Sequence, residues 1–439
     1  MTDSVNTNPD YTPAMSEAIP LGLQHVLAMF VSNFTPAIII GGAAGFAFGS
    51  SDAVFLIQMS MLFAGIATLF QTIGFGPVGA RLPIMQGTSF AFVPVMITIV
   101  KTASMSVLFG SIIVAGIFHA LLGAVISRIR HWFPPLVTGL VIVIIGLMLI
   151  PVGIEYAAGG AGDFNKGKPD WGSASHWIQA LIVMLVALGV KFYSKGILSS
   201  AAILVGLIVG YVVSIPMGSV NFSGIANAAW FALPQPLSYG FEFNITAILA
   251  MCLMCIISAI ETVGDISGIT KGGAGREATD KELSGGTVAD GLGTAVAGVF
   301  GGLPNTSFSQ NVGLVSLTGV MSRSVVTIGA IFLIICGLVP KVGAIVSSMP
   351  ISVLGGGVIL MFGMVISAGI NMLSAVNWNR RSMFIMAISV SIGLGLKMVP
   401  ESLQHIGGTT LPMLMTSGLL PAAVIAVVLN LVLPDEQES

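Results

Sequence analysis

Long apolar blocks, interrupted by short stretches rich in Gly, Pro or charge, dominate the pattern of this chain. Most blocks have the ~20 residues that a helix needs to cross a hydrocarbon layer. The pattern predicts fourteen spans, at 19–41, 53–74, 83–99, 106–127, 132–152, 176–193, 198–216, 244–267, 286–303, 308–322, 324–340, 350–371, 382–397 and 408–433. The predicted fold class is therefore an all-α integral membrane protein.

Predicted spans 3 and 10 are short and interrupted in the same way. Residues 88–90 and 306–308 both read Thr-Ser-Phe, and a Leu-Pro pair precedes each, at 82–83 and 303–304. Glycines that follow the two segments are separated by nearly the same number of residues as the segments themselves, which indicates an internal duplication. Because seven spans separate equivalent points, the two seven-span repeats must be inverted relative to each other. Inverted repeats with short broken segments are typical of transporters, and the broken segments indicate the binding site.

The distribution of basic residues predicts the orientation of the chain. With a cytoplasmic N-terminus, eleven Lys and Arg lie on the inner side and five lie outside. The first 18 residues contain no Lys or Arg, so the sequence does not predict a cleavable signal peptide. We expect a multi-pass protein of the cytoplasmic (inner) membrane with both termini in the cytoplasm. Arg130 is among the eleven inner residues.

Composition excludes several classes of function. Hydrophobic residues make up 55% of the chain and charged residues 8%, which rules out a soluble enzyme. The balance of 16 basic and 18 acidic residues offers no basic surface for nucleic acid. There is no phosphate-binding loop and no H-E-x-x-H zinc motif. Secondary transport remains, with no enzymatic activity, cofactor or metal predicted.

Ionisable groups inside predicted spans are the first candidates for function. Burial of Glu261, Asp265 and Asp290 is unfavourable unless these carboxyls pair, face a cavity or carry a proton. Glu261 and Asp265 are four residues apart, on one helix face, where desolvation and mutual repulsion favour a proton on at least one of them. For Asp265 and Asp290, helix capping or a bond to loop backbone is an equal alternative. His25 is placed to support a broken segment through a hydrogen bond.

The two broken segments add further candidates. Gln310 and Asn311 carry amides, which offer a donor and an acceptor to the edge of a heterocycle. By the repeat, Ala91 and Phe92 are equivalent to Ser309 and Gln310. The ring of Phe92 is thus a candidate to stack on a flat ligand.

Residues 310–319, Gln-Asn-Val-Gly-Leu-Val-Ser-Leu-Thr-Gly, resemble the signature of the nucleobase-ascorbate transporters, or nucleobase:cation symporter-2 family. Residues 24–25, 86–90, 133–139 and 261–266 are similar to bacterial xanthine permeases, and residues 304–309 resemble the urate-transporting branch. This resemblance implies a core domain, residues 1–130 (spans 1–4) and 244–341 (spans 8–11), and a gate domain, residues 131–243 (spans 5–7) and 342–439 (spans 12–14). It also implies a homodimer and inward proton symport by elevator-like movement of the core.

The resemblance also implies roles for individual residues. Glu261 should bind the purine edge, Gln310 its amide edge and Phe92 its ring face, with backbone contacts from Ser309 and Phe92. Asp290 and Asp265 match acidic positions that matter for coupling and site architecture. His25 matches a histidine that supports the third span. Asn311 belongs to the same architectural group.

Substrate choice follows from departures within the family pattern. Uracil permeases have Glu at the position of Gln310 and His at that of Asp265, so the chain resembles the purine branch. Ala91 replaces an Asn that xanthine-selective members carry, which leaves room for the extra oxygen of uric acid. We therefore expect import of xanthine and uric acid. A uniporter or channel for another small solute or anion on the same fold is the alternative.

Overall fold

The computed structural model describes residues 7–129, 134–406 and 410–434. Arg130, Phe133, the chain ends and the starts of predicted spans 132–152 and 408–433 lie outside the described residues. The longer elements are α1 Met15–Ala43, α2 Ser51–Thr72, β1 Gln86–Thr88, α3 Val93–Thr102, α4 Met105–Gly123, α5 Ile126–Ile129, α6 Pro135–Ala157, α7 Asp163–Lys166, α8 Ala174–Tyr193, α9 Gly196–Ser200, α10 Ala202–Ser214, α11 Ser223–Asn227, α12 Ile245–Ala274, α13 Asp280–Val299, β2 Asn305–Ser307, α14 Ser309–Thr318, α15 Arg323–Leu338, α16 Pro340–Ser347, α17 Ile351–Leu373, α18 Arg380–Met398, α19 Thr410–Thr416 and α20 Leu419–Val432. A 3₁₀ turn covers Pro400–Leu403.

The fold is helical and multi-pass, as the apolar pattern predicts. Among the described residues, eight helices are long and apolar enough to cross a membrane, or nine if α15 and α16 form one bent span. Several other predicted spans coincide with shorter or divided elements, such as α9 with α10 and α19 with α20. Fourteen spans in two inverted repeats therefore stays a prediction.

One helix falls in a region that the apolar pattern assigns to a loop. α16 begins at Pro340 and is bent by 79° from α15. Pro340 has no backbone N–H and its ring clashes with the preceding turn, so α15 cannot continue through it. The same residue is favourable at the first position of the new helix.

The helices form two groups. α2 packs on α15, α4 packs on α13, and α12 packs on both α4 and α13. α1, α3, α14 and the two strands contact these helices. We call this set the site bundle. α6 packs along α17, and α8, α10, α18 and α20 surround that pair. We call this second set the flanking bundle.

Glycines allow α4 and α13 of the site bundle to approach closely. A Cβ atom built at Gly291 would lie 2.1 Å from the backbone nitrogen of Ala120. One built at Gly116 would lie 2.4 Å from the backbone nitrogen of Ala295. Small residues at helix crossings permit this backbone contact in a membrane, where packing drives association. The close crossing fixes the position of Asp290, the residue before Gly291.

Contacts at the helix ends distinguish the two faces of the molecule. The Arg323 guanidinium, at the start of α15, binds Asp10 at 2.6 Å and the Thr72 carbonyl oxygen at 2.8 Å. The N-terminal segment, the end of α2 and the start of α15 therefore share one face, which we call the N-terminal face. The Gly49 N–H, beyond the other end of α1, donates to Ser347 Oγ at 2.9 Å and marks the opposite face.

Candidate functional site

Two short strands meet at the centre of the site bundle. β1 and β2 pair antiparallel, with Gln86 opposite Ser307 and Thr88 opposite Asn305. Gly87 stands opposite Thr306, and a Cβ atom there would lie 2.5 Å from the Phe308 ring. Irregular backbone at membrane depth requires protein around it, and all six strand residues are buried. The sequence-predicted broken segments thus contact each other directly.

Each strand leads into the N-terminus of a short helix. Phe92 precedes the first residue of α3, and Phe308 precedes the first residue of α14. The first N–H groups of a helix lack partners within it, and the N-terminus carries a partial positive charge. Two such ends beside one cavity favour an electron-rich or anionic ligand.

A cavity of about 160 Å³ lies beside these helix ends. Glu261 from α12 and Ser309 and Gln310 from α14 supply polar groups to its wall. Ala91 also lines it. The volume is below the range of pockets for drug-sized ligands and suits a small compound. The structure therefore brings together four of the residues that the sequence predicted for substrate binding.

The opposite wall of the cavity comes from the flanking bundle and is apolar. It consists of Ile142 and Ile145 from α6 and of Met364, Val365 and Ala368 from α17. The cavity thus lies at the boundary between the two bundles. Sequence reasoning did not identify these five residues, because nothing in an apolar span distinguishes a cavity-facing Ile from a lipid-facing one.

The aromatic residues that line the cavity differ from the predicted one. Phe92 is fully buried at the start of α3, and its ring does not line the cavity. Phe308 and Phe90 line the cavity instead. The Phe90 ring packs edge-on against Phe362 of α17, with centroids 5.6 Å apart, and so contacts the flanking bundle. Phe90 belongs to the Thr-Ser-Phe motif of residues 88–90, but the repeat alignment indicates the ring at position 92 instead.

Asp265 holds the start of α14 in place. Its carboxylate accepts hydrogen bonds from Ser307 Oγ at 2.6 Å and from Ser309 Oγ at 2.7 Å. Asp265 is buried and lies one helical turn beyond Glu261, on the predicted common face. Its carboxylate bonds side chains in β2 and α14, so neither helix capping nor a loop-backbone bond describes its role.

Asp290 is the centre of a second buried network. Its Oδ1 accepts from Gln71 Nε2 at 2.7 Å and from Gln86 Nε2 at 2.6 Å, while Oδ2 accepts from the Thr262 hydroxyl. These donors come from α2, β1 and α12. Sequence reasoning missed Gln71, although a Gln inside an apolar span is a signal of a buried polar network.

Hydroxyl groups connect the strands to α12. Thr306 Oγ1 accepts from Ser258 Oγ at 3.2 Å and lies 3.3 Å from Thr262 Oγ1. Because Thr262 also bonds Asp290, the chain of hydroxyls links the strand pair to that carboxylate. Together the two networks fix both broken segments around the cavity.

His25 and Asn311 are in contact. The Asn311 side-chain amide donates to the His25 carbonyl oxygen at 2.9 Å and lies 3.0 Å from His25 Nδ1. His25 therefore supports α14, in the second broken segment, while support of the third span, which the family resemblance implies, stays a prediction. Both side chains are buried.

The cavity holds one ionisable group. Of the described residues that line it, Glu261 alone has a titratable side chain, and it is partly exposed. Across residues 7–129, 134–406 and 410–434, no group of three or more His, Cys, Asp or Glu could hold a metal ion. Cys255 Sγ donates to the Ala115 carbonyl oxygen at 3.2 Å, a packing contact. The site can thus bind a small molecule through hydrogen bonds and can take up a proton.

Similar proteins cover most of this chain. The uric acid transporter UacT of Escherichia coli (strain K12) is 40% identical over 419 residues, 94% of this chain and 85% of the relative. A xanthine permease of Bacillus subtilis (strain 168) is 35% identical over 95% of this chain and 93% of the relative. A protein described as a putative purine permease, CPE0397 of Clostridium perfringens (strain 13 / Type A), is 37% identical over 97% of this chain and 92% of its own length.

Solved structures show the same fold at low sequence identity. The transmembrane domain of the cyanobacterial bicarbonate transporter BicA matches with a TM-score of 0.58 and 16% identity, over 95% of this chain and 97% of that one. SLC26A9 matches with a TM-score of 0.59 and 14% identity, over 86% of this chain and 62% of that one. These likenesses concern the fold alone.

The family comparison confirms the resemblance seen in residues 310–319 and rules out an enzyme. The Xan_ur_permease model, described as a permease family, matches residues 16–402. The chain therefore belongs to this family, that of the nucleobase-ascorbate transporters, and is a multi-pass membrane permease.

Proposed function

We propose that this permease is a proton-coupled symporter that imports xanthine and uric acid across the cytoplasmic membrane. One observation carries the proposal: Glu261 and Gln310 line the same small cavity, between the N-termini of α3 and α14. Its relatives include proteins described as a uric acid transporter and a xanthine permease, which supports this substrate class.

The polar wall of the cavity matches the edge of an oxidised purine. A protonated Glu261 offers one donor and one acceptor, and the Gln310 amide offers the same pair. Backbone N–H groups at the start of α14, around Ser309, can donate to a ring oxygen. Phe90 supplies an aromatic surface, and the small side chain of Ala91 leaves room for the additional oxygen of uric acid.

Glu261 is the group that we expect to carry the coupled proton. Uric acid is a weak acid, and the two helix N-termini favour its anionic form. An ionised Glu261 in the same cavity would repel that anion, whereas a protonated Glu261 would bind it. Binding of proton and substrate are then mutually favourable, which is the thermodynamic requirement for symport.

The division of the cavity wall suggests how substrate crosses the membrane. The site bundle, which we equate with the core domain of residues 1–130 and 244–341, supplies the polar groups. The flanking bundle, equated with the gate domain of residues 131–243 and 342–439, supplies the apolar wall. Elevator-like movement of the core along this apolar wall breaks few polar contacts. By this proposal the protein is a homodimer, with the gate domains held fixed.

The exposed part of the cavity wall lies towards one face of the molecule. Met364 and Ala368 are exposed and lie in the C-terminal half of α17. Because α17 begins near Ser347 on the opposite face, its C-terminal half extends towards the N-terminal face. With cytoplasmic termini, as we propose, we infer that the cavity opens inward.

Uptake into cells that lack their own purine permeases tests the function. We expect labelled xanthine to accumulate against its gradient, to be lost with a protonophore, and to be displaced by excess urate but not by uracil. A uniporter would equilibrate xanthine without concentrating it. Uptake of xanthine unaffected by urate would remove uric acid from the proposal.

Ala91→Asn tests the substrate assignment within the same assay. The larger polar side chain should reduce uptake of urate relative to xanthine, because it occupies the space left for the extra oxygen. Ala91→Ser is the matched control, since it adds a hydroxyl with little volume. An equal loss for both substrates in Ala91→Asn would contradict the assignment of that space.

A further inference from the structure

The segment between α11 and α12 presents an unusual number of exposed rings. We call residues 228–244 the outer arm. Five of its large apolar side chains are between 46% and 76% exposed: Trp230, Phe231, Leu233, Phe241 and Phe243. Exposed large apolar side chains concentrated in one segment indicate an interaction site.

Backbone hydrogen bonds hold the outer arm against the site bundle. The Ala232 N–H donates to the Leu338 carbonyl oxygen at 3.1 Å, and the Leu237 N–H donates to that of Val299 at 2.7 Å. Further along, the Glu242 N–H donates to the carbonyl oxygen of residue 106 at 3.0 Å. The rings are therefore displayed by a fixed backbone.

One aromatic residue of the arm points inward and anchors it. The Tyr239 ring stacks on Phe109, with centroids 5.2 Å apart and planes inclined by 10°. It also lies parallel to Phe46 at 6.0 Å and edge-on to Phe55 at 5.7 Å. The arm thus has an inner side, which packs on protein, and an outer side, which carries the exposed rings.

The contacts of the arm place it at the depth of a membrane surface. Val299 and Leu338 are the last residues of α13 and α15, and Ser106 is the second residue of α4. All three helix ends lie on the face opposite the N-terminal face. A segment that crosses the ends of membrane helices lies where hydrocarbon meets lipid headgroups.

The chemistry of the arm matches that boundary. Trp and other aromatic side chains are favoured there, because an apolar ring can enter the acyl region while its polar part stays hydrated. The arm contains no Lys or Arg, and Glu242 is its only charged residue. Lys341 Nζ lies 5.0 Å from the centroid of the Trp230 ring, which places a cation beside the indole.

We propose that the outer arm is an interfacial lipid anchor of the site bundle, embedded in the headgroup–acyl boundary of the leaflet opposite the N-terminal face. A second copy of the chain is the competing occupant, and lipid is favoured because Trp and Lys are the side chains that anchor proteins where acyl chains meet headgroups. The arm holds this position in the conformation seen here, since the site bundle itself moves in the proposed function.

Tryptophan quenching in proteoliposomes tests this anchor. The chain has five Trp, so replacing the other four with Phe leaves Trp230 as the only fluorophore. We expect phosphatidylcholine brominated near the glycerol backbone to reduce its emission more than lipid brominated near the chain ends, and aqueous iodide to have little effect. A chain with Trp171 alone is the matched control, since its indole donates to the Gly160 carbonyl oxygen at 2.9 Å. It should respond less to lipid bromine.

A single conservative variant covers the case in which the four-fold substitution fails to fold. The difference in bromolipid quenching between the wild type and Trp230→Phe gives the contribution of the same indole. Strong quenching by iodide without quenching by bromolipid would overturn the proposal, because it shows an indole in water. Quenching by neither agent, with emission that changes on dilution of protein in lipid, would overturn it in favour of a second copy.

Discussion

Asp290→Asn removes the charge at the centre of the buried network while keeping the shape of the side chain. The carboxylate accepts hydrogen bonds from Gln71, Gln86 and Thr262. Hydrogen bonds to a charged group contribute ~1.5–3 kcal/mol each, and those between neutral groups ~0.5–1.5 kcal/mol. A loss of ~1 kcal/mol for each of the three bonds, less what is recovered because a neutral side chain is easier to bury, predicts that the free energy of unfolding falls by at most ~3 kcal/mol.

Asp290→Ala removes the acceptor group altogether, whereas Asp290→Asn removes only its charge. It leaves the three donors buried without an acceptor, at a cost of ~1–3 kcal/mol each, so it should be more destabilising than Asp290→Asn. Thermal unfolding of the purified protein in lipid nanodiscs should rank the wild type first, Asp290→Asn second and Asp290→Ala last. Glu277→Gln, at an exposed position before α13, is the control and should unfold with the wild type.

The stability of Asp290→Asn decides whether this reasoning holds. An unfolding midpoint equal to or above that of the wild type would show that the charge contributes nothing to the network. Asp290 would then act as a neutral hydrogen-bonding group, and its role would be in proton movement or shape. If Asp290→Asn loses uptake while its stability is unchanged, Asp290 acts in transport and its charge does not stabilise the network.

Three further predictions concern the site and its support. Glu261→Gln keeps the shape of the side chain, so we expect substrate binding to persist while uphill, protonophore-sensitive accumulation is lost; retained accumulation would contradict the coupling role. Asn311→Ala removes the contacts with His25 and should lower the free energy of unfolding by ~1–3 kcal/mol, with weaker substrate binding by titration. Burial opposes the charge of Glu282, but hydrogen bonds led by Arg276 outweigh it and lower the pKa. Glu282→Gln should therefore destabilise the protein above the ordinary carboxyl pKa and match the wild type once pH falls through the lowered value, which unfolding measured across pH will show.

Much of the helical fold follows from apolar block length, because a membrane restricts backbone to structures that satisfy their own hydrogen bonds. The broken segments at 88–90 and 306–308 were visible as well, since Gly, Pro and polar pairs are conspicuous in apolar runs. The common face of Glu261 and Asp265 followed from helical periodicity. These features depend on residues close together in sequence.

Features that depend on distant contacts were not predictable. The pairing of β1 with β2 joins residues more than 200 positions apart, and Gln71 reaches Asp290 across a similar interval. The shift of the cavity-lining ring from Phe92 to Phe90 has a local cause. Phe92 already lies at the start of α3, where the helix directs its side chain into the bundle, while Phe90 precedes the helix. A repeat alignment cannot resolve where each helix begins.

Proton movement coupled to substrate can be measured directly. Purified protein is reconstituted into liposomes that contain a pH-sensitive dye, and urate or xanthine is added outside without an imposed proton gradient. We expect acidification of the lumen on addition of either purine, none with uracil, and none with Glu261→Gln. Substrate entry measured in the same vesicles without any change of internal pH would contradict it and leave a uniporter on this fold.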